Sequence, residues 1–259
     1  MPELPDLQVF SHNLTKLFAG KTLKKVTIVN DRKLKVPAKT LKRSLENQAL
    51  KKIYREGKEL RFEFSNGNIL GMHLMLKGQL YLFEKKNDHN KTIIELLFAD
   101  GKGLAMADYQ GMATPVLNPE STDAPDALSK KMDFAFLKQK LSTTRTTIKN
   151  LLLDQHVVRG IGNAYADEIL WDARISPFSI CNRIPDDKIR QLVKSIRKIL
   201  IWAEKQIKKI EPGIISGETR NFLPIHNSQK TKSPTGSKIL KKAVGGRKTY
   251  YTREQKLFK

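Results

Sequence analysis

The sequence predicts an α+β chain: an N-terminal helix and an antiparallel β-sandwich, then a helical domain in which two helices are joined by a tight glycine turn, and a closing β-hairpin. Three observations lead there. Apolar residues recur at helical spacing at the start and again beyond residue 133. Short runs that alternate or cluster apolar residues fill the stretch between. Pro115, Pro119 and Pro125 break the chain where one pattern gives way to the other.

Leu7, Val9, Phe10, Leu14, Leu17 and Phe18 define the first helix, and Gly20 is its stop signal. From residue 22 to about 116 the runs LKKVTIV, LRFEF, GQLYLF, TIIELLFA and GLAMA read as strands, with turns at Ser65-Asn66-Gly67 and Asp100-Gly101. Several short strands at close spacing suggest a sandwich or barrel. Helical patterns then cover 134–141, 147–154, 164–172 and 185–209, with Asp133 and Asn163 as expected N-caps. Beyond Glu211-Pro212-Gly213 the periodicity weakens. The segment from about Gln229 is rich in Lys and Arg, with Glu254 its only acidic residue. It ends in a hairpin through Gly245-Gly246 into Arg247-Lys248-Thr249-Tyr250-Tyr251. The expected organisation is therefore 1–118 sandwich, 119–131 linker, 132–221 helical domain and 222–259 finger.

The chain has 259 residues, 39% hydrophobic and 29% charged, as expected of a soluble globular protein. Its 48 Lys+Arg against 26 Asp+Glu leave a net charge of +22. Such a field favours a polyanion, whose condensed counterions are released on binding. Composition alone also fits a basic ribosomal protein. No run of roughly 18 apolar residues offers a membrane span, and no signal peptide is visible. Cys181 is the only cysteine, which excludes internal disulfides and CxxC zinc sites and points to a reducing, cytoplasmic setting.

Two constellations carry chemistry. The chain opens Met1-Pro2-Glu3-Leu4-Pro5-Asp6, so trimming of Met1 exposes a secondary amine. A free α-amine titrates at about 7.7–8.0, leaving an appreciable nucleophilic fraction at neutral pH. Attack on an aldehydic carbon gives a cationic iminium, an electron sink that promotes elimination at the neighbouring carbon. Glu3 is placed to move protons beside it. The bland alternative is a helix start, with Pro5 in the first turn and Glu3 and Asp6 favouring the dipole. The second constellation is Gly160-Ile161-Gly162-Asn163. Its glycines let backbone N–H groups approach a phosphate at a helix N-terminus, with the Asn163 amide as a further donor. Tight helix packing accounts for a bare G-x-G equally well.

Together these motifs resemble the formamidopyrimidine-DNA glycosylase/endonuclease VIII family of bifunctional base-excision repair enzymes, and the MPELP opening is nearer the first branch. The resemblance runs through Gly57-Lys58-x-Leu60, the segment from His73 to Gly78, the helix–two-turn–helix at 147–170 and the Gly245-Gly246-Arg247 hairpin. It implies that a damaged base is flipped from the duplex and that Pro2 attacks the sugar C1′ with Glu3 assisting ring opening. It further implies that Lys58 and Arg247 help the eliminations, Arg247 also holding phosphate, and that Asn163 and Arg145 contact DNA with Gly160 and Gly162.

Three departures from the family pattern stand out. The four positions that ligate zinc in most members carry Lys232, Thr235, Thr252 and Gln255, which make no thiolate zinc site. No metal or cofactor is expected, and the hairpin is expected to hold by packing alone, as in members with a zincless finger. Leu76, Gln110 and Met112 stand where the family fills the void left by the flipped base, and the arginine that pairs with the orphaned cytosine is missing. Asp6 replaces the usual Glu. The resemblance implies a monomeric enzyme acting on damaged duplex DNA, with glycosylase and abasic-site lyase activity. The alternative is a damaged-DNA binder of the same fold whose chemistry has decayed.

Overall fold

The computed structural model describes residues 1–259, and the chain divides into two compact units. The first comprises Met1–Ser121 with Ile207–Glu218, and the second Thr122–Gln206 with Thr219–Lys259.

The first unit opens with α1 (Leu4–Phe18), followed by β1 (Leu23–Ile28), α2 (Ala38–Leu45), β2 (Leu50–Glu56), β3 (Glu59–Phe64) and β4 (Ile69–His73). Then come β5 (Gln79–Glu84), β6 (Thr92–Phe98), β7 (Lys102–Ala107) and β8 (Thr114–Leu117). The strands form two four-stranded antiparallel sheets, ordered β1-β6-β7-β5 and β2-β3-β4-β8. Both sheets and α1 share one core. Leu7, Phe10, Leu14 and Phe18 of the helix join Val26, Leu96 and Leu104 of one sheet and Phe62, Phe64 and Met72 of the other, all fully buried or nearly so. Each such side chain contributes roughly 1.5–3 kcal/mol, and Phe18 stacks on Phe98 at 4.6 Å. The expected turns are present, with Gly67 and Gly101 at φ 83° and 84°, where a Cβ is disfavoured.

Residues 38–45 lie between the runs read as strands, in a stretch where no helix was expected. They form α2, because Leu41 and Leu45, one helical turn apart, are both fully buried while Lys39, Arg43 and their neighbours are polar. One turn of amphipathic pattern flanked by lysines is too short to stand out among strands.

The second unit contains α3 (Phe134–Ser142), α4 (Ile148–Leu153), α5 (Asn163–Asp172), most of α6 (Asp186–Ile210) and the hairpin of β9 (Leu240–Val244) and β10 (Arg247–Tyr251). Asp133 caps α3 by accepting from Phe136 N at 2.9 Å. The expectation that Asn163 caps α5 is not met. Gly162 occupies the cap and Asn163 begins the helix, because the Asn163 amide donates to Lys248 O at 2.9 Å instead of turning back to its own helix. No helix is long and apolar enough to cross a membrane.

Candidate active site and nucleic-acid interface

Glu3 stands at the N-cap of α1, and its carboxylate accepts from the backbone of Asp6. The Asp6 carboxylate accepts in return from Glu3 N at 2.8 Å. This reciprocal box, worth about 1 kcal/mol, realises the plain helix-start reading of these residues. It also holds the Glu3 carboxylate in the residue next to Pro2. Pro2, Glu3 and Asp6 are all buried. The Met1 ammonium pairs with Glu218, a carboxylate that the sequence patterns did not single out.

Lys58 sits in the two-residue turn between β2 and β3, beside Gly57 at φ 58°. Arg55 fixes that turn to α1: its Nε donates to Gln8 Oε1 at 3.1 Å and its Nη1 to Gly57 O at 3.0 Å. His73, at the end of β4, has its pKa lowered, first by burial and then by the positive charge of Lys58. A neutral ring lets Nδ1 accept from Met75 N at 3.2 Å. His73 thereby holds the start of the loop that carries Leu76.

The three void-filling candidates project from two loops that converge. Leu76 is 63% exposed and Met112 42%, and Gln110 is exposed as well. Asp108, itself buried, builds the second loop: Oδ1 accepts from Gln110 N at 2.9 Å and Oδ2 from Met112 N and Ala113 N at 2.8 and 2.9 Å. Gly78 permits the approach, since a Cβ there would lie 2.2 Å from Leu74 O and 2.9 Å from the Ala113 Cβ. Tyr109, 76% exposed in the same loop, is an aromatic side chain that sequence reasoning passed over.

In the second unit, Gln155 shapes the turn between α4 and α5. Its Nε2 donates to Leu153 O and Ile161 O, each at 3.0 Å, and its Oε1 accepts from Gly160 N at 2.9 Å. Gly160 lies at φ 102°, a conformation that excludes most side chains. Arg145 and Arg247 are exposed, Arg247 following Gly245 and Gly246 at φ 55° and 73° in the hairpin tip. A concavity of about 470 Å³ lies here, lined by Asn150, Asp154, His156, Gly245 and Arg247 among others. Beneath it is a buried network. Lys149 and Asp167 are both 0% exposed and joined at 2.6 Å. Lys149 Nζ also donates to Thr249 Oγ1 at 2.7 Å, while Asp167 Oδ2 accepts from Tyr250 N at 2.9 Å and lies 2.7 Å from His226 Nδ1.

Two family models match this architecture: the formamidopyrimidine-DNA glycosylase N-terminal domain over residues 1–114 and the H2TH domain of the same enzymes over 124–211. The chain belongs to the formamidopyrimidine-DNA glycosylase family. Among relatives of that name, the Lactobacillus gasseri protein is 32% identical over 80% of this chain and 78% of its own. The Mycoplasma mobile glycosylase is 29% identical over 98% of both chains. Among solved structures, the Lactococcus lactis glycosylase (Fpg) in complex with abasic-site DNA superposes with a TM-score of 0.86 at 27% identity, over 97% of this chain and 98% of that one. A mutant of that protein, in complex with Fapy-dG DNA, gives 0.85 at 29% identity over the same shares.

Zinc, held by four thiolates in most formamidopyrimidine-DNA glycosylases, does not fit the residues present. An ammonium, two hydroxyls and an amide stand in place of the thiolates. Three of the four are already engaged: Thr235 and Thr252 donate to Glu254, and the Gln255 amide accepts from Thr252 N at 2.8 Å and donates to Ile175 O at 2.9 Å. The expectation that packing alone holds the hairpin is corrected by the same contacts. A small apolar cluster of Ile225, Ile239 and Tyr250 is supplemented by polar bonds along the whole finger, because a finger this small buries too little apolar surface to be held by that alone.

Proposed function

We propose that this DNA glycosylase is bifunctional, excising damaged bases and cutting the strand at the abasic site it creates. The Pro2 nitrogen attacks C1′ as the bond from C1′ to the base breaks, and the base leaves with a proton. The amine nitrogen gives up its proton and the C1′–O4′ bond opens as O4′ takes up a proton, which leaves the sugar on the secondary amine as an iminium. Loss of a C2′ proton then expels the 3′ phosphate by β-elimination, and water hydrolyses the iminium to release the amine. Glu3 moves the protons at the ring oxygen. Lys58 steadies a phosphate, and Asn163, Arg145, Arg247 and the backbone around Gly160 and Gly162 take others. Leu76, Met112 and Gln110 fill the space the flipped nucleotide leaves, with Tyr109 beside them. Arg247 also assists δ-elimination.

One observation carries this reading: a proline behind the initiator methionine, followed by a carboxylate locked in a capping box, in a chain of this family. The relatives crystallised with abasic-site and Fapy-dG DNA support ring-opened purines and abasic sites as substrates. The void-filling loop lacks an arginine, so the donor that pairs with the orphaned cytosine elsewhere in the family does not come from this loop. The protein acts as a monomer on duplex DNA.

Borohydride trapping on an abasic duplex tests the reading. Wild type becomes covalently joined to DNA and Pro2→Gly does not. Glu3→Gln keeps an acceptor for the cap while losing the acid, so it slows base release and leaves the helix start intact. Intact mass of the active protein must show Met1 removed. A wild-type protein that binds the duplex but neither forms an adduct nor cuts it favours the second reading, a damaged-DNA binder, to which the altered void-filling loop lends support.

A further inference from the structure

Glu254 is the only acidic residue of the finger, and four hydrogen-bond donors and one guanidinium converge on it. Thr235 Oγ1 donates to Oε1 at 2.5 Å, while Ser233 Oγ and Thr252 Oγ1 donate to Oε2 at 3.2 and 3.0 Å. From the end of α5, Trp171 Nε1 donates to Oε2 at 3.4 Å, and just beyond it Arg174 Nη1 lies 3.1 Å from Oε1. These partners come from three separate segments: the turn at 233–237, the turn at 252–255, and the C-terminal end of α5. The two turns are the ones a zinc ion would have bridged.

The geometry assigns Glu254 a positioning role: its carboxylate ties both turns of the finger to the end of α5 and thereby sets where Arg247 is presented to DNA. The finger lies along α5 and is pinned at three levels. Asn163 at the N-terminus of the helix bonds Lys248 O, Asp167 in its middle bonds Tyr250 N, and Trp171 at its end bonds Glu254. The first two levels lie in β10 itself. The third alone reaches the 233–237 turn, so without Glu254 that turn keeps only bonds within the finger's own loop, such as Ser233 N to Ser237 O at 2.8 Å. Hydrogen bonds to a charged carboxylate are the strong kind and are directional, which suits a group that must fix geometry where no metal does.

The inference rests on Arg247 as a DNA-contacting group. Its test measures Kd for a duplex with a non-cleavable abasic analogue across a salt series, together with the ratio of δ- to β-elimination products on an abasic duplex. Glu254→Ala raises Kd about tenfold and lowers the slope of log K against log salt by about one. The δ:β ratio falls, and Glu254→Asp recovers most of the binding. A chelator changes nothing in any variant. Where Glu254→Ala unfolds the second unit, Glu254→Gln, which keeps the side chain's size and one acceptor, is read instead, with weaker binding and the same change in slope expected. Wild-type Kd, slope and product ratio in the folded variant overturn the proposal, as does a fall in melting temperature that leaves all three unchanged. A wild-type protein that neither binds nor cuts abasic DNA defeats the functional reading itself, and the role of Glu254 with it.

Discussion

Lys149→Met probes the network that joins the helices of the second unit to the finger. The Lys149 ammonium and the Asp167 carboxylate are wholly inaccessible and 2.6 Å apart. Breaking such a pair from one side costs roughly 3–5 kcal/mol, because it strands a buried charge. Here Asp167 keeps two neighbours on its other oxygen, Tyr250 N and His226 Nδ1. Thr249 Oγ1 keeps Arg247 O as an acceptor at 3.1 Å. Methionine also replaces much of the buried lysine stem. The expected loss therefore lies near the lower limit, about 3 kcal/mol. Both tryptophans of the chain, Trp171 and Trp202, belong to the second unit, so their fluorescence during urea unfolding reports on that unit alone. A cycle with Asp167→Asn and the double variant isolates the pair, with a coupling of about 2 kcal/mol expected for residues in direct contact. A loss below about 1 kcal/mol for Lys149→Met, or additive single effects, refutes the claim that this pair fastens the finger.

Three further outcomes follow from individual positions. Gly245→Ala destabilises the second unit and weakens DNA binding, since its Cβ would lie 2.5 Å from Asn150 Oδ1; Gly246→Ala, with open space around it, costs less. Equal losses in urea and binding assays would remove the steric argument. Glu168 is buried with Oε2 unpartnered, and burial pushes its pKa from 4.5 to about 8. Because the folded value exceeds the unfolded one, wild-type stability declines as pH rises from 4.5 through 8, by up to ~1.4 kcal/mol per pH unit. Glu168→Gln keeps an acceptor for Ile225 N and His226 N and flattens that decline; urea midpoints from pH 5 to 9 decide it. Cys181 is fully buried and its thiol is pushed up to about 12, so a thiol reagent labels it only on unfolding, and fast labelling of native protein contradicts that.

What the sequence disclosed depended on how local the physics was. Helix α1 was legible because periodicity, Pro5 and Gly20 all lie within one stretch, and the strands because alternation survives in a half-buried sheet. The same locality singled out Pro2 and Glu3, whose proposed chemistry needs only adjacent positions. Arg55 escaped notice because its role is to join Gln8, 47 residues earlier, to the Lys58 turn. Nothing in the sequence around Lys149 announces that Asp167 and Thr249 will close over it. Asn163 was read as a cap from its type, whereas tertiary contact with β10 redirected its amide. In each case the missing information was a long-range partner, and a single sequence offers no pattern for that.

The finger shows what this chain gains by doing without thiolates. A zinc site couples folding to metal supply and to the redox state of its cysteines. The Glu254 cluster depends on neither. The Thr235 hydroxyl, first among its donors, holds the Glu254 pKa down to about 2. Since that lies below the unfolded value of 4.5, the contribution to stability is present above 4.5 and is lost only as pH falls through about 2. The cluster is therefore charged at every physiological pH. The sole thiol, Cys181, is buried and is not a member of this cluster. A protein proposed to repair oxidised DNA thus holds the finger that carries Arg247 without thiolates, and the finger's sensitivity is moved to ionic strength, where the arginine and lysines of the hairpin already place it.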